Sequence, residues 1–320
     1  MGRFAHAFGP HRPDATYVPH AFEERTFDTG EVRMNYAVAG SEDSPALLLI
    51  PGQSESWWGY EAALPLLAQR FRVFAVDLRG QGRSTRTPGR YTFDNMGNDL
   101  VRFIDGAIGR PTIVSGLSSG GVLAAWLSAY AGPGQVVGAV YEDPPLFAAE
   151  VDTSFGHSLR QGIGAMFALW SKYLGDQWSI GDWDGMVAAA PRELPGWIAG
   201  LFQGAVGDGA EPPQNLKEYD PEWARAFWTG AVGVGCDHAR MLSSVKVPVL
   251  LTHHFRHVDE ASGYLMGALS DPQADRVRQL VAAAGQRVEY RSFPTMGHAM
   301  HAQDPKLFTE TVVQWAESLP

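Results

Sequence analysis

Gly116-Leu117-Ser118-Ser119-Gly120 has the form G-x-S-x-G and lies between two apolar runs, 111–115 and 122–127. The first run predicts a short buried strand and the second the start of a helix. A serine between them sits on a sharp turn with its hydroxyl exposed, and the flanking glycines leave the backbone room for that turn. A serine hydroxyl is a weak nucleophile by itself. The motif therefore calls for a histidine to take its proton and a carboxylate to hold that histidine. Without such partners the same residues make only a tight turn whose serine caps a helix.

His298, in Thr295-Met296-Gly297-His298-Ala299-Met300, follows an apolar run at 288–293. A loop histidine there is the expected base, with His301 in the next helix or turn. Three carboxylates are candidates for the acid. Glu142 and Asp143 end the run 136–141, and Asp259 follows the run 248–252. Asp143 is preferred, then Asp259, then Glu142. In the alternative, Asp143 before Pro144 caps a turn and Asp259-Glu260 opens a solvated helix. His253, His254 and His257 also cluster, but H-H-x-x-H matches no zinc-enzyme spacing and lacks a convincing acidic pair. No metal and no cofactor is expected.

Acyl transfer also needs backbone N–H groups aimed at the developing oxyanion. Ser119, next to the nucleophile, is one expected donor, and Gln53 in Pro51-Gly52-Gln53-Ser54 is the other. Ser54, Trp57 and Trp58 on the same loop are candidates for lining the pocket. The two tryptophans are equally compatible with core packing at the next helix.

These groups need a scaffold that brings them to one rim. Residues 33–39 alternate and read as an edge strand. Continuous apolar runs at 46–50, 71–76, 112–115, 136–141, 248–252 and 288–293 read as buried parallel strands. Helical patterns at 60–69, 95–108, 120–130, 275–284 and 307–319 separate or follow them. Such alternation predicts an α/β fold, a mostly parallel sheet with helices on both faces. Residues 1–25 read as an irregular arm, and 26–145 with 246–320 as the core.

The interval 146–245 breaks the rhythm. It holds six of the ten tryptophans, Trp170, Trp178, Trp183, Trp197, Trp223 and Trp228, and no convincing buried strand. It is expected to be a helical cap over the carboxyl ends of the strands, where open α/β sheets bind ligands. Trp183 and Met166 are candidates to face the ligand, against the plainer alternative of a cap with its own aromatic core.

Composition bounds the partners. The chain has 320 residues, 45% of them hydrophobic, and a formal net charge of -10. No basic cluster suggests nucleic acid, and no apolar run reaches membrane-spanning length. The first twenty residues lack the apolar core of a secretory signal. Cys236 is the single cysteine, so no internal disulfide can form; it is expected to be a buried filler in a cytoplasmic protein. A homodimer is compatible with these features.

Pro51-Gly52-Gln53, Asp77-Leu78-Arg79-Gly80-Gln81-Gly82-Arg83-Ser84, the Ser118 elbow and Gly297-His298 together resemble the α/β-hydrolase superfamily. In that superfamily the cap follows the sixth sheet strand, and the Asp77–Ser84 pattern is a structural turn. Within it, the chain is similar to the zearalenone hydrolases, which open a macrocyclic resorcylic lactone. These carry proline in the position of Pro51, a G-x-S-S-G elbow, and an acid after the strand preceding the cap. Thr252-His253-His254-Phe255-Arg256 and Met296–His301 also look like a branch of such lactonases. The chain departs from them in its greater length and in offering Asp143 where their acid is glutamate.

The resemblance implies a serine hydrolase acting on an apolar ester or lactone. Alternatives are a hydrolase of C–C bonds in diketones with the same triad, or a small-molecule receptor on the same scaffold. Epoxide hydrolase and dehalogenase chemistry is disfavoured, because those enzymes use a carboxylate where Ser118 stands.

Overall fold

A computed structural model describes residues 18–151, 155–158, 162–196, 198–200, 202 and 211–319. An eight-stranded sheet runs through it. In chain order its strands are β1 (Glu24–Asp28), β2 (Arg33–Ala39), β3 (Ala46–Ile50), β4 (Arg72–Val76), β5 (Thr112–Leu117), β6 (Val136–Glu142) and β7 (Val249–His253). A two-stranded hairpin, β8 (His257–Val258) with β9 (Leu265–Met266), precedes the last strand, β10 (Val288–Ser292). The sheet order is β1-β2-β4-β3-β5-β6-β7-β10, antiparallel at β1/β2 and β2/β4 and parallel elsewhere. This is the α/β-hydrolase fold, with the helical insertion after the sixth strand.

The central strands are apolar because both faces are covered. In β3, Leu48 and Ile50 join one core cluster with Val114, Leu123 and Tyr141. Leu47 and Leu49 point the other way, into a second cluster with Trp57, Tyr60, Phe308 and Trp315. Alternate side chains of a strand face opposite sides, so five consecutive apolar residues fill two cores.

Several expectations are corrected. The irregular arm gives way to β1 from Glu24, and His20 already stacks on Trp58 and hydrogen-bonds Glu61; residues 1–17 lie outside the described residues. Glu-Arg-Thr-Phe-Asp forms an outermost strand, where one edge and much of both faces meet water, so it carries no apolar signature. The helix expected over 60–69 is a 3-10 turn at Trp57–Tyr60 followed by a short helix at Leu64–Leu67.

The described part of the insertion includes helices at Gly164–Tyr173, Trp183–Glu193, Gln214–Lys217, Pro221–Thr229 and His238–Leu242. Their aromatic residues pack on one another. Phe167 and Trp170 meet Phe227 and Tyr219, and Trp223 stacks between Tyr91 and Phe227. Cys236 is buried there against Met241.

The turn from Asp77 to Ser84 docks this layer on the core. Arg79 is buried and pairs with Asp99 through two nitrogens at 2.7 and 2.8 Å, the planar fork-on-carboxylate geometry arginine favours. Its carbonyl accepts the Trp223 indole N–H, the Gly80 carbonyl accepts the Asp220 N–H, and the Gly82 carbonyl accepts the Trp178 indole N–H. Among the described residues no helix is long and apolar enough to cross a membrane.

Candidate active site

Four consecutive positions across the sheet, β3, β5, β6 and β7, and the edge strand β10 deliver the candidate groups at their carboxyl ends. Ser118 follows β5 with φ 54° and ψ -121°, a strained backbone region that L-residues rarely occupy. The flanking glycines are required by close approach. A Cβ on Gly116 would meet the Gly120 carbonyl oxygen at 2.0 Å, and one on Gly120 would meet the Ile50 oxygen at 2.3 Å. The elbow is pinned to the next strand by the Ser118 N–H, which donates to the Glu142 carbonyl at 2.9 Å.

Asp143, one residue past β6, is also in the left-handed region, with φ 41°. Its N–H donates to the Thr252 carbonyl, which turns the carboxylate toward the rim. Oδ2 lies 2.6 Å from His298 Nδ1, and Oδ1 accepts the His254 N–H at 3.1 Å. A carboxylate on Nδ1 fixes that proton there and leaves Nε2 bare, the tautomer a general base needs.

Burial of Asp143 disfavours its charge. The hydrogen bond and charge of His298, with help from His254, outweigh that and hold the carboxyl below the usual range. For His298, desolvation opposes the imidazolium, but the bond and charge of Asp143, then Glu55 and Glu142, raise its pKa above the ordinary value. The ring keeps 47% of its surface exposed, so solvent screens part of this field.

Glu142 and Asp259, the alternative acids, are engaged elsewhere. Glu142 is fully buried and accepts both the N–H and the ring Nδ1 of His301. Burial opposes both charges, yet the pair lowers the Glu142 pKa and raises that of His301. Asp259 caps its own turn by accepting the N–H and hydroxyl of Ser262.

The backbone N–H groups of Gln53 and Ser119 have no protein acceptor among the described residues. Gly52 brings the β3 loop against the elbow; a Cβ there would lie 3.4 Å from the Ser118 Cβ. The loop is strapped to the insertion from above. The Gln53 amide donates to the Tyr219 hydroxyl at 2.6 Å, Asn215 donates to the Ser54 carbonyl, and Ser56 and the Trp58 indole donate to Glu218. Ser54 is buried with φ 60°.

The aromatic pocket candidates are placed differently from expectation. Trp57 is fully buried in the second core cluster, its indole N–H donating to Glu24, as in the core-packing alternative. Trp58 spends its N–H on Glu218. Trp183 is buried in the aromatic interior of the insertion, and Met166 packs against the same cluster. Trp197 lies outside the described residues. Ring content reveals aromatic packing, but in a stretch without clear periodicity it does not tell which face each ring takes.

His253 and His254 hold the rim together instead of forming part of a metal set. His253 bonds Tyr290 and the Leu269 carbonyl, while His257 is exposed on the hairpin. No group of three or more His, Cys, Asp or Glu is arranged to hold a metal among the described residues. Sequence reasoning also missed Glu55. Its Oε2 accepts the Gly52 N–H and lies within 3.4 Å of the position a Gly52 Cβ would take. Burial raises its pKa against the pull of His301 and His298. An acidic residue two past Gln53 in a loop expected to approach substrate was the available signal.

Comparison with known proteins agrees with this construction. Epoxide hydrolase B of Mycobacterium tuberculosis is 28% identical over 191 residues, 54% of this chain and 51% of that protein. The 3-oxoadipate enol-lactonase 2 of Acinetobacter baylyi is 30% identical over 105 residues, 32% of this chain and 39% of that one. The chain thus spans about half the length, or less, of these curated relatives. Among solved structures, the enol-lactonase from Burkholderia xenovorans superposes with a TM-score of 0.65 at 16% identity, over 92% of this chain and 100% of the other. A putative aryl esterase from Burkholderia cenocepacia superposes at 0.64 and 20% identity, over 92% and 98%. The alpha/beta hydrolase family model matches residues 47–311, from β3 and the loop after it through the elbow and Asp143 to His298 and the last helix. With that match over most of its length, the chain belongs to the alpha/beta hydrolase family.

Proposed function

We propose that the protein is a metal-independent serine hydrolase that cleaves an apolar carboxylic ester or lactone. The observation that carries this reading is the 2.6 Å bond from His298 Nδ1 to Asp143, at the same sheet rim as the strained Ser118 elbow. Ser118 Oγ attacks the carbonyl carbon while His298 Nε2 takes its proton. The carbonyl oxygen becomes an oxyanion that accepts the N–H groups of Gln53 and Ser119. As the tetrahedral species collapses, the C–O bond breaks and His298 returns the proton to the leaving alkoxide oxygen. In a lactone that oxygen stays tethered, so the acyl-enzyme carries a free hydroxyl at its far end. Water, deprotonated by His298, then attacks the acyl carbon; Ser118 is regenerated and a carboxylic acid leaves.

A serine at the elbow favours acyl transfer over epoxide opening, although epoxide hydrolases are among the relatives. An ester bond to serine is readily hydrolysed at its carbonyl, whereas an alkyl ether to serine would be a dead end. Within the ester class, the substrate we favour is a macrocyclic resorcylic lactone such as zearalenone. Its support is the Pro51, Ser118-Ser119 and His298 motifs. The likeness in fold to an enol-lactonase is in keeping with it. We further infer that the protein acts in the cytoplasm.

Ser118→Ala should abolish turnover of 4-nitrophenyl esters and of the lactone, and prevent labelling by a fluorophosphonate. Unchanged turnover would overturn the reading. Ester turnover without lactone turnover would restrict it to esterase.

A further inference from the structure

His254 touches both halves of the acid–base pair. It stands one residue past β7, fully buried. Its own N–H donates to Asp143 Oδ1 at 3.1 Å, the oxygen that His298 does not use. Its ring Nδ1 lies 3.0 Å from the Gly297 carbonyl oxygen and 2.9 Å from that of His298. Both of those partners are acceptors only, so Nδ1 carries the proton. Nε2 is then bare and accepts the Thr252 hydroxyl at 3.0 Å. Thr252 closes the circuit, because its carbonyl accepts the Asp143 N–H. Every ring nitrogen has a partner, and the Phe293 ring meets the imidazole edge-on.

We propose that His254 is the positioning residue of this site, locking the Asp143 carboxylate and the His298 loop into one unit. The inference rests on the serine-hydrolase reading above. The His298 loop is a short excursion between β10 and the helix Met300–Gln303. It is also held by the Phe255 N–H, which donates to the Met296 carbonyl at 2.9 Å, and by the Gln303 side chain, which accepts the Gly297 N–H. The carbonyls of residues 297 and 298 have the His254 ring as their donor. The His254 N–H also stops the Asp143 carboxylate from rotating, so Oδ2 stays in line with His298 Nδ1. Displacing a catalytic group by about 1 Å costs on the order of a hundredfold in rate, so a residue that holds the acid through its backbone N–H and the loop of the base through its ring has leverage without meeting substrate.

The test exploits which ring atom does the work. Asparagine carries its amide nitrogen where histidine carries Nδ1, while glutamine carries its amide near Nε2. His254→Ala should lower kcat by about 10- to 100-fold with KM nearly constant, and should move the acidic limb of the kcat/KM profile to lower pH as the Asp143–His298 bond slackens. His254→Asn should recover most of kcat and return the limb, and His254→Gln should recover neither.

The proposal is overturned if His254→Ala keeps its kcat and pH limb, if Gln rescues as well as Asn, or if kcat falls only with the folded fraction, as judged by urea melts, with the limb unmoved. Ser118→Ala and fluorophosphonate labelling are run alongside. Loss of labelling dependence on Ser118 sinks the serine-hydrolase reading itself, whereas normal labelling with an indifferent His254 sinks only this inference.

Discussion

Glu142 and Asp143 are neighbours in the chain and serve two different histidines: Asp143 Oδ2 meets His298 Nδ1 at 2.6 Å, while Glu142 meets His301 Nδ1 at 3.0 Å. Successive side chains at a strand end point to opposite sides. One acid is therefore delivered to the open rim and the other beneath the elbow, where His301 stacks on Tyr60 with ring centroids 3.9 Å apart. The two pairs should separate on mutation. Asp143→Asn keeps shape but loses the charge that favours the Nδ1–H tautomer, so kcat should fall by roughly 10⁴-fold with little change in unfolding midpoint. Glu142→Gln leaves a buried imidazole facing a neutral amide and should cost about 3–5 kcal/mol of stability. Steady-state kinetics beside urea melts of both variants decide it. Equal loss of activity and of stability in the two would refute the division of labour.

The pH dependence of activity follows from His298. Nε2 must be unprotonated to accept the serine proton, and the Asp143 bond holds the ring's pKa above the ordinary histidine value of about 6.5. kcat/KM should therefore decline as pH falls through a midpoint above that value. Removing the Asp143 charge should move the midpoint down. A wild-type limb at or below the ordinary value would contradict the strength assigned to this pair.

Stability should carry a different signature, from Glu142 and His301. The Glu142 pKa is lowered, so its contribution is present above its unfolded value near 4.3 and lost as pH falls through the folded one. That of His301 is raised, so its contribution is full below about 6.5 and lost as pH rises through the folded value. Both are present together between about pH 5 and 6.5. The stability gap between wild type and Glu142→Gln should be widest in that window and narrow above the folded pKa of His301. A gap that grows steadily with pH would argue against a charged pair.

How much of this was legible beforehand depends on whether a residue's environment is set locally. The elbow was legible because G-x-S-x-G between a buried run and a helix start specifies its own backbone. The central strands were legible because burial on both faces leaves unbroken apolar runs. Strand β1 was not, since an edge strand reads Glu-Arg-Thr-Phe-Asp like any solvated segment. The acid was open among Asp143, Asp259 and Glu142 because a one-residue step at the end of β6 reverses the side of the sheet, and the turn holding Asp259 is local. His254 stood in a histidine cluster whose spacing matched no known site, and its partners at 143, 297 and 298 are distant in the chain. Trp57 and Trp183 stayed open between pocket wall and core, because an aromatic residue declares apolar surface without declaring which surface it meets.

The glycine at the far side of the elbow should be intolerant of even one methyl group. A Cβ on Gly120 would lie 2.3 Å from the Ile50 oxygen and 2.6 Å from that of Pro51. These are backbone atoms of β3 and its loop, so relief requires the helix and the β3 loop to part. Gly120→Ala should cost at least about 1–3 kcal/mol and should reduce kcat beyond the loss of folded protein, because the same displacement spreads Ser119 from Gln53. Measuring the folded fraction and the fluorophosphonate-reactive fraction separates the two effects. Wild-type kinetics in Gly120→Ala would mean the close approach is not needed.

The strap between the β3 loop and the insertion makes the final prediction. Gln53 offers its N–H to the expected oxyanion position and its side-chain amide to the Tyr219 hydroxyl at 2.6 Å. Tyr219 is fully buried against Trp170, so the contact is shielded from water. Tyr219→Phe removes the acceptor while keeping the ring, and it leaves the Gln53 amide without its partner at a cost of about 1–3 kcal/mol. If the strap positions Gln53 for the transition state, most of that cost should appear as a fall of roughly tenfold in kcat. If it merely holds the insertion closed over bound substrate, KM should rise instead. The insertion would then become more sensitive to limited proteolysis. An unchanged kcat/KM with unchanged proteolysis would show that the Tyr219 hydroxyl contributes to neither.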